Sequence, residues 1–432
     1  MIDFLLLELP RNDRDLNLMI PLYLYLKKRG YKVVIENINF GVLNVLKYRP
    51  RLLIFSNPHD STVYELKRDL FNCGATIVTL TTEGNYQEVG FHGYFWGWNV
   101  EHRLHQHALL LWNNKSRKLI TKFHPEFADK LFVSGSVGHD RYKSVDFFNK
   151  GAFLQQNNLQ RFQKVIGIAG FGLFKYVNDP SSYAIVDPEY PKTNLQLFEV
   201  DRVKLRESYG KLIRQFPDIL FILRLHPETA SAFDQTEFYG LEELPNIYIS
   251  SIHASLPKID DVINISDVWI AYETNTSIEA WLLNKPVIYF NPTTADFQRE
   301  NHFNGCVLTS SLEQVVVWIN EFYETGKISD YECKAEVRES ILKEVIEYKD
   351  GKNYERAGRI IEELYQKLPK TKAKNYWKFL RKINFKELLR QYLHNKGWYW
   401  KIRKDLQKPE LHFPKDKYFG GKYIEIYNDI VA

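Results

Sequence analysis

Cysteine is scarce: Cys73, Cys306 and Cys333 are the only three in 432 residues, an odd number, far apart, with no CxxC pair and no ligand cluster beside them. That excludes a disulfide framework and a thiolate zinc site, and the three read as reduced thiols. Long apolar runs are missing too. No stretch approaches the roughly 18 residues that a membrane-spanning helix needs, and the Met1-Ile2-Asp3-Phe4 start lacks the basic region of a secretory signal, so the expected location is the cytoplasm. Internal repeats and low-complexity blocks are absent as well. What is present suits folding: 44% of residues are hydrophobic and 26% charged, over a length that allows two or three domains.

The net charge of +5 conceals an uneven distribution. Between Lys370 and Lys404 stand 12 Lys/Arg against a single acid, Glu387, so the tail is strongly basic and the remaining chain mildly acidic. An acidic body argues against a nucleic-acid partner.

Apolar runs and helix-like periods alternate along the first stretch. Strands are expected at 3–9, 31–36, 51–55 and 76–81, with helices at 16–29 and 61–71. The alternation restarts beyond an Asn/Gln-rich patch at 149–163: strands at 164–169, 219–224, 268–271 and 286–289, helices at 200–216, 257–265 and 277–283. Strands separated by helices form parallel sheets covered on both faces, which predicts an α/β protein of two doubly wound domains. We assign residues 1–155 to the first, 156–330 to the second, 331–368 to closing helices and 369–432 to the tail, with helices expected at 312–323 and 354–367. Ligands bind such sheets at the carboxyl ends of strands, which selects 10–15, 82–84, 135–141, 170–174, 224–228 and 273–279.

Among these, His226-Pro227 comes directly off a buried strand. Proline ends the ladder and holds the imidazole at the sheet edge, where it can donate to a phosphate oxygen, with Arg224 adding positive charge. A solvated histidine at a capped strand end is the plainer alternative. In Ser266–Ala280 a strand runs into Thr274, Asn275, Thr276 and Ser277, and a helix follows with Glu279 in its first turn. Hydroxyls and helix N–H groups there can cradle phosphate, and Glu279 can accept from ribose hydroxyls, although the same residues also fit an ordinary capping box.

Together, His226-Pro227, the stretch from Asp267 through Thr276-Ser277-Ile278-Glu279-Ala280 to Lys285-Pro286, and Glu83-Gly84 resemble GT-B glycosyltransferases of bacterial surface-polysaccharide assembly, notably capsule Kdo transferases and bacterial polysialyltransferases. The resemblance spans roughly residues 1–330. It implies two Rossmann-like domains in a GT-B fold, donor nucleotide in the second domain, acceptor in the first, and no obligatory metal or cofactor. His226 would contact the donor phosphate, Thr276 and Ser277 the phosphate or sugar, Glu279 the ribose, and Glu83 would be the catalytic carboxylate. Those families often carry two acids before the glycine; here Thr82 precedes Glu83.

Read from its residues alone, Glu83 follows an apolar strand, and Gly84 allows a sharp turn that would hold a partly desolvated carboxylate for general-base or nucleophilic work. A solvated turn glutamate is equally compatible. Arg11, Asp13 and Arg14, after the first strand, could grip an anionic or polyhydroxyl acceptor. Gly167-Ile-Ala-Gly170-Phe-Gly172 would admit a phosphate to the backbone but lacks the dinucleotide fingerprint. His102, His105 and His107 do not share one helix face and lack a fourth ligand, so no metal is assigned. Tyr94–Trp98 could stack on sugar or fill core. Phe385, Leu388, Leu389, Tyr392 and Leu393 form one helix face amid cations, and Trp398-Tyr399-Trp400 follows, which suits an anionic membrane surface or packing onto the body.

The sequence therefore points to a glycosyltransferase moving a sugar, with a lean to a CMP-activated one such as Kdo, from a nucleotide donor to a glycan or lipid-linked acceptor. A GT-B-type epimerase, a polyol-phosphate transferase and a catalytically silent glycan- or membrane-binding scaffold are the alternatives.

Overall fold

Uninterrupted apolar strands, buried on both sides, set the architecture. In β1 (Phe4–Glu8) the side chains alternate between two faces: Phe4 and Leu6 enter one core with the helices Asp13–Lys28 and Asn353–Gln366, Leu5 and Leu7 the other with Gly41–Tyr48 and Ser61–Asn72. The computed structural model describes residues 2–8, 13–56, 61–88, 91–97, 99, 101–144, 147–172, 192–226, 233–251, 258–272, 274–293, 301–368, 388–389 and 391–393. They fall into two units, one of residues up to 145 with those from 343 onward, the other of residues 146–342.

The first unit holds a parallel sheet of β1, β2 (Val33–Asn37), β3 (Leu52–Phe55), β4 (Ile77–Thr79), β5 (Ala108–Leu111) and β6 (Leu131–Val133) in the order β2-β1-β3-β4-β5-β6. The first helix begins at Asp13 rather than at 16, so Asp13 and Arg14 open a helix instead of extending a loop, and Asp15 is buried. It stops at Gly30, whose φ of +86° a side chain would oppose.

The helices expected to close the chain belong to different units: Leu312–Thr325 to the second, Asn353–Gln366 to the first. Tyr354, Ala357, Ile361 and Tyr365 form the buried stripe of Asn353–Gln366, and a Cβ on Gly358 would lie 2.2 Å from the Tyr25 ring. Asp140 fixes the start of this helix, accepting the Asn353 and Tyr354 N–H groups at 3.0 and 2.8 Å. Contacts between residues so distant in sequence leave no local signal.

The second unit's sheet contains β7 (Lys164–Ala169), β8 (Ile219–Arg224), β9 (Ile247–Ser250), β10 (Val268–Ala271), β11 (Val287–Phe290) and β12 (Val307–Thr309), ordered β12-β11-β10-β7-β8-β9 and parallel throughout. Counted from β7, this is the 3-2-1-4-5-6 order of dinucleotide-binding folds, with its reversal point between β7 and β10. The helix Lys150–Gln156 lies in this unit, so the boundary falls at 145/146 and not after 155. Before β10, Asp267 accepts from Lys150 Nζ at 2.8 Å, the Val165 N–H at 2.8 Å and the Tyr323 hydroxyl at 3.2 Å. Those bonds tie the amino edge of the sheet to its flanking helices.

Most of the basic tail lies outside the described residues. Within it, Leu388 packs against the core that holds Leu5 and Leu7, and Leu389 and Tyr392 are exposed. No helix among the described residues is long and apolar enough to cross a membrane.

Candidate functional site

Three strand ends meet at the reversal point of the second sheet. Beyond β7 the chain runs through Gly170-Phe171-Gly172. Gly170 donates its N–H to the Arg224 carbonyl at 2.7 Å, and a Cβ there would stand 2.6 Å from that same oxygen, so only glycine permits the approach. Gly172 lies along His226, with the position of a Cβ 3.4 Å from Nδ1. The imidazole, half-buried, thus borders the glycine turn. Arg224 is buried and gives its guanidinium to the Ser250 hydroxyl at 3.1 Å, so it stands behind the edge toward β9.

Beyond β10, Tyr272 donates to Asp201 at 2.6 Å, and Glu273 lies outside the described residues, as does Pro227. Tyr289 of β11 pins the following loop: its hydroxyl accepts the Thr274 N–H at 2.6 Å and donates to the Thr274 carbonyl at 2.8 Å. Thr276 Oγ1 accepts from Trp269 Nε1 at 3.0 Å and keeps its own proton to donate. Ser277 is fully buried and donates to the Thr274 carbonyl at 3.3 Å, so its hydroxyl shapes the loop from within rather than facing outward. The helix Thr276–Leu282 has exposed Asn275 as its N-cap with no side-chain cap bond; half-buried Glu279 lies in its first turn, and the capping box that the sequence allows is not formed. The edge therefore offers a glycine turn, an imidazole, a threonine hydroxyl, an amide and a carboxylate, a set suited to a phosphorylated polyhydroxyl ligand.

The carboxyl edge of the first sheet differs. Glu83 follows β4 and is exposed, so the partial desolvation expected of it is not present. Gly84 is required for another reason than the sharp turn: a Cβ would come 2.4 Å from the Trp112 ring, which packs on it and donates Nε1 to the Thr81 carbonyl at 2.7 Å. Burial, with the Glu83 carboxylate adding to it, pushes the neighbouring Tyr86 phenol up. Trp112 meets His139 edge-on at 5.0 Å, and the His139 ring nitrogen bonds the Ser136 hydroxyl at 2.5 Å. His139 falls within the strand-end segment 135–141, but no motif sets it apart there. Asp140 beside it is buried, and that burial raises its carboxyl to about 7 against the lowering effect of the Asn353 and Tyr354 bonds.

Other singled-out residues have local partners. His107 Nδ1 accepts the Ile77 N–H at 3.2 Å, His105 neighbours Tyr64 and Glu101, and His102 stacks on Trp96 at 5.0 Å. Phe95 and Trp96 are core residues; the side chains of Tyr94 and Trp98 lie outside the described residues. Arg11 lies outside them too, as do the side chains of Asp13 and Arg14.

No known family profile matches the chain, and no curated protein matches it. Solved structures do. A protein of Listeria monocytogenes assigned as a UDP-N-acetylglucosamine 2-epimerase superposes with a TM-score of 0.54 at 11% identity, over 85% of this chain and 98% of that one. The S. aureus MnaA–UDP co-structure gives 0.54 at 12% over the same shares. The Methanocaldococcus jannaschii UDP-GlcNAc 2-epimerase, in complex with UDP-GlcNAc and UDP, gives 0.51 at 13%, over 84% of this chain and all of that one. At such identities the likeness is one of fold: two Rossmann-like α/β domains of the GT-B type.

Proposed function

We propose that the chain is a nucleotide-sugar enzyme, a glycosyltransferase that holds a pyrimidine-nucleotide donor at the carboxyl edge of the second sheet. One observation carries the reading: Gly170–Gly172, Arg224–His226 and Thr274–Glu279 leave adjacent strands at the point where strand order reverses, the place where open α/β sheets take ligands. His226 and the glycine-turn backbone face the phosphates, Asn275 and Thr276 the phosphate or sugar, and Glu279 the ribose. Arg224 adds charge from behind, while Thr274 and Ser277 hold the loop. Glu83 is the carboxylate that activates the acceptor hydroxyl, or the nucleophile if configuration is retained. Arg11, Asp13 and Arg14 bind the acceptor, a surface glycan or lipid-linked sugar, and the basic tail meets an anionic membrane surface on the cytoplasmic side. No metal or cofactor enters this scheme.

The motif resemblance favours a CMP-activated sugar such as Kdo. Among the fold neighbours, one is a UDP-GlcNAc 2-epimerase in complex with UDP-GlcNAc and UDP and another holds UDP, which favours uridine and supports a second reading, epimerisation of the donor sugar. A thermal-shift panel of CMP, UDP and GDP separates the bases: a nucleotide at 100 times its dissociation constant stabilises by about 2.7 kcal/mol. We expect CMP or UDP to shift melting and His226→Ala to weaken that nucleotide by about 1.5–3 kcal/mol, as for a lost charge-assisted hydrogen bond. A panel with no shift refutes the reading. Sugar interconversion without any acceptor would select the epimerase.

A further inference from the structure

Glu237 follows the short turn Phe233–Gln235 and is 2% exposed. Its Oε1 accepts the Phe171 N–H at 2.8 Å, so this carboxylate is the strut beneath the middle residue of the glycine turn. Oε2, equally buried, has no hydrogen-bond partner among the described residues. The helix Lys192–Gln215 brings Arg202, Arg206 and Tyr209 within electrostatic reach of it, with Glu199 beside the arginines and Asp201 beside Tyr209. Arg202 is bonded to Glu199 at 2.8 and 2.5 Å, Arg206 to the Thr236 carbonyl at 2.6 Å, Asp201 to Tyr272, and the Tyr209 hydroxyl has no partner among the described residues. His226 borders the same turn at Gly172.

We propose that Glu237 positions the Gly170–Gly172 turn through Phe171 and takes up one proton, on Oε2, when an anionic nucleotide seats against that turn. The inference rests on the nucleotide reading above. Two negative charges a few ångströms apart in a poorly solvated site repel strongly, and protonating the inner one relieves this. The proton comes from buffer and forms an O–H bond on Oε2, while Oε1 still accepts from Phe171. Burial already raises the carboxyl to about 7, against the lowering influence of the Phe171 N–H and both arginines, so the change needs little displacement from neutrality. By reciprocity, protonation strengthens nucleotide binding, and affinity falls as pH rises through 7.

Calorimetry of the full chain with CMP and UDP at pH 7, in two buffers of different ionisation enthalpy, counts the protons taken up. Glu237→Gln keeps an oxygen for the Phe171 N–H and cannot titrate. The wild type should absorb more protons than E237Q and lose about fivefold or more in affinity from pH 6 to pH 8, the size of an ordinary coupling, while E237Q stays nearly flat. The comparison subtracts any proton taken by His226 or the phosphate. Should E237Q not fold, the wild-type infrared difference spectrum on nucleotide binding must gain a protonated-carboxyl band. Nucleotide binding with equal proton uptake in both proteins, or with no such band, overturns the inference alone. Absence of nucleotide binding overturns the functional reading with it.

Discussion

Asp140 and Glu237 are two buried carboxylates, one at the carboxyl edge of each sheet, and burial holds the proton of both up to about pH 7. Their partners differ. Asp140 has both oxygens filled by N–H groups of one helix start, while Glu237 has one oxygen filled by the glycine turn and one without a partner among the described residues. The first is a cap, whose work is to dock the Asn353–Gln366 helix on the first unit. The second is a support beside the edge proposed to take a nucleotide. Equal burial therefore does not mean equal role: what decides it is whether the partners are part of the fold or part of a site.

The comparison extends to chemistry. If the first edge reacts and the second binds, Glu83→Gln should separate the two, with turnover falling at least about a hundredfold while donor affinity survives. Steady-state rates beside calorimetry check this. Near-normal transfer in E83Q would move the carboxylate elsewhere, with Asp13 and Asp15 next to change, and a parallel loss of affinity would break the division between the edges.

A smaller effect tests the cap. Asp140→Ala should lower unfolding free energy by about 1–2 kcal/mol at pH 5, where the folded carboxyl is neutral, the order of a lost helix cap. The sign with pH follows from the raised carboxyl. Its folded value of about 7 exceeds the ordinary 3.8, so the native state binds more protons between them. The contribution is complete below about pH 4 and disappears as pH rises through 7, and the deficit of D140A shrinks toward pH 8. Denaturant titrations of both proteins across that range would show it. Nucleotide should leave this dependence untouched, in contrast to that of Glu237; a cap that responds to nucleotide would erase the distinction.

The sequence made the second sheet's centre readable because β7, β8 and β10 are apolar runs closed by turn residues, and their limits match the expected strands. β9 and β12 are short and partly exposed, so their runs barely register. Strand-end position selected His226 and the Thr274–Glu279 loop. It could not reveal that Ser277 points inward or that Gly84 serves Trp112, since both depend on side chains packed from other elements. Glu237 sits in the polar run Phe233-Asp-Gln-Thr-Glu-Phe238, which reads as solvated loop; the helix Lys192–Gln215 buries it. Docking of the last helix on the first unit was illegible for the same reason, being made by Tyr25, Arg29 and Asp140 far upstream.

Amide hydrogen exchange of the full chain, with and without saturating CMP or UDP, tests the central claim most directly, because nucleotide contact slows exchange where backbone N–H groups close on the ligand. The account predicts new protection at 170–172, 224–226 and 274–279, the three strand ends at the reversal point of the second sheet. Protection confined to other strand ends, with these three unchanged, would contradict it.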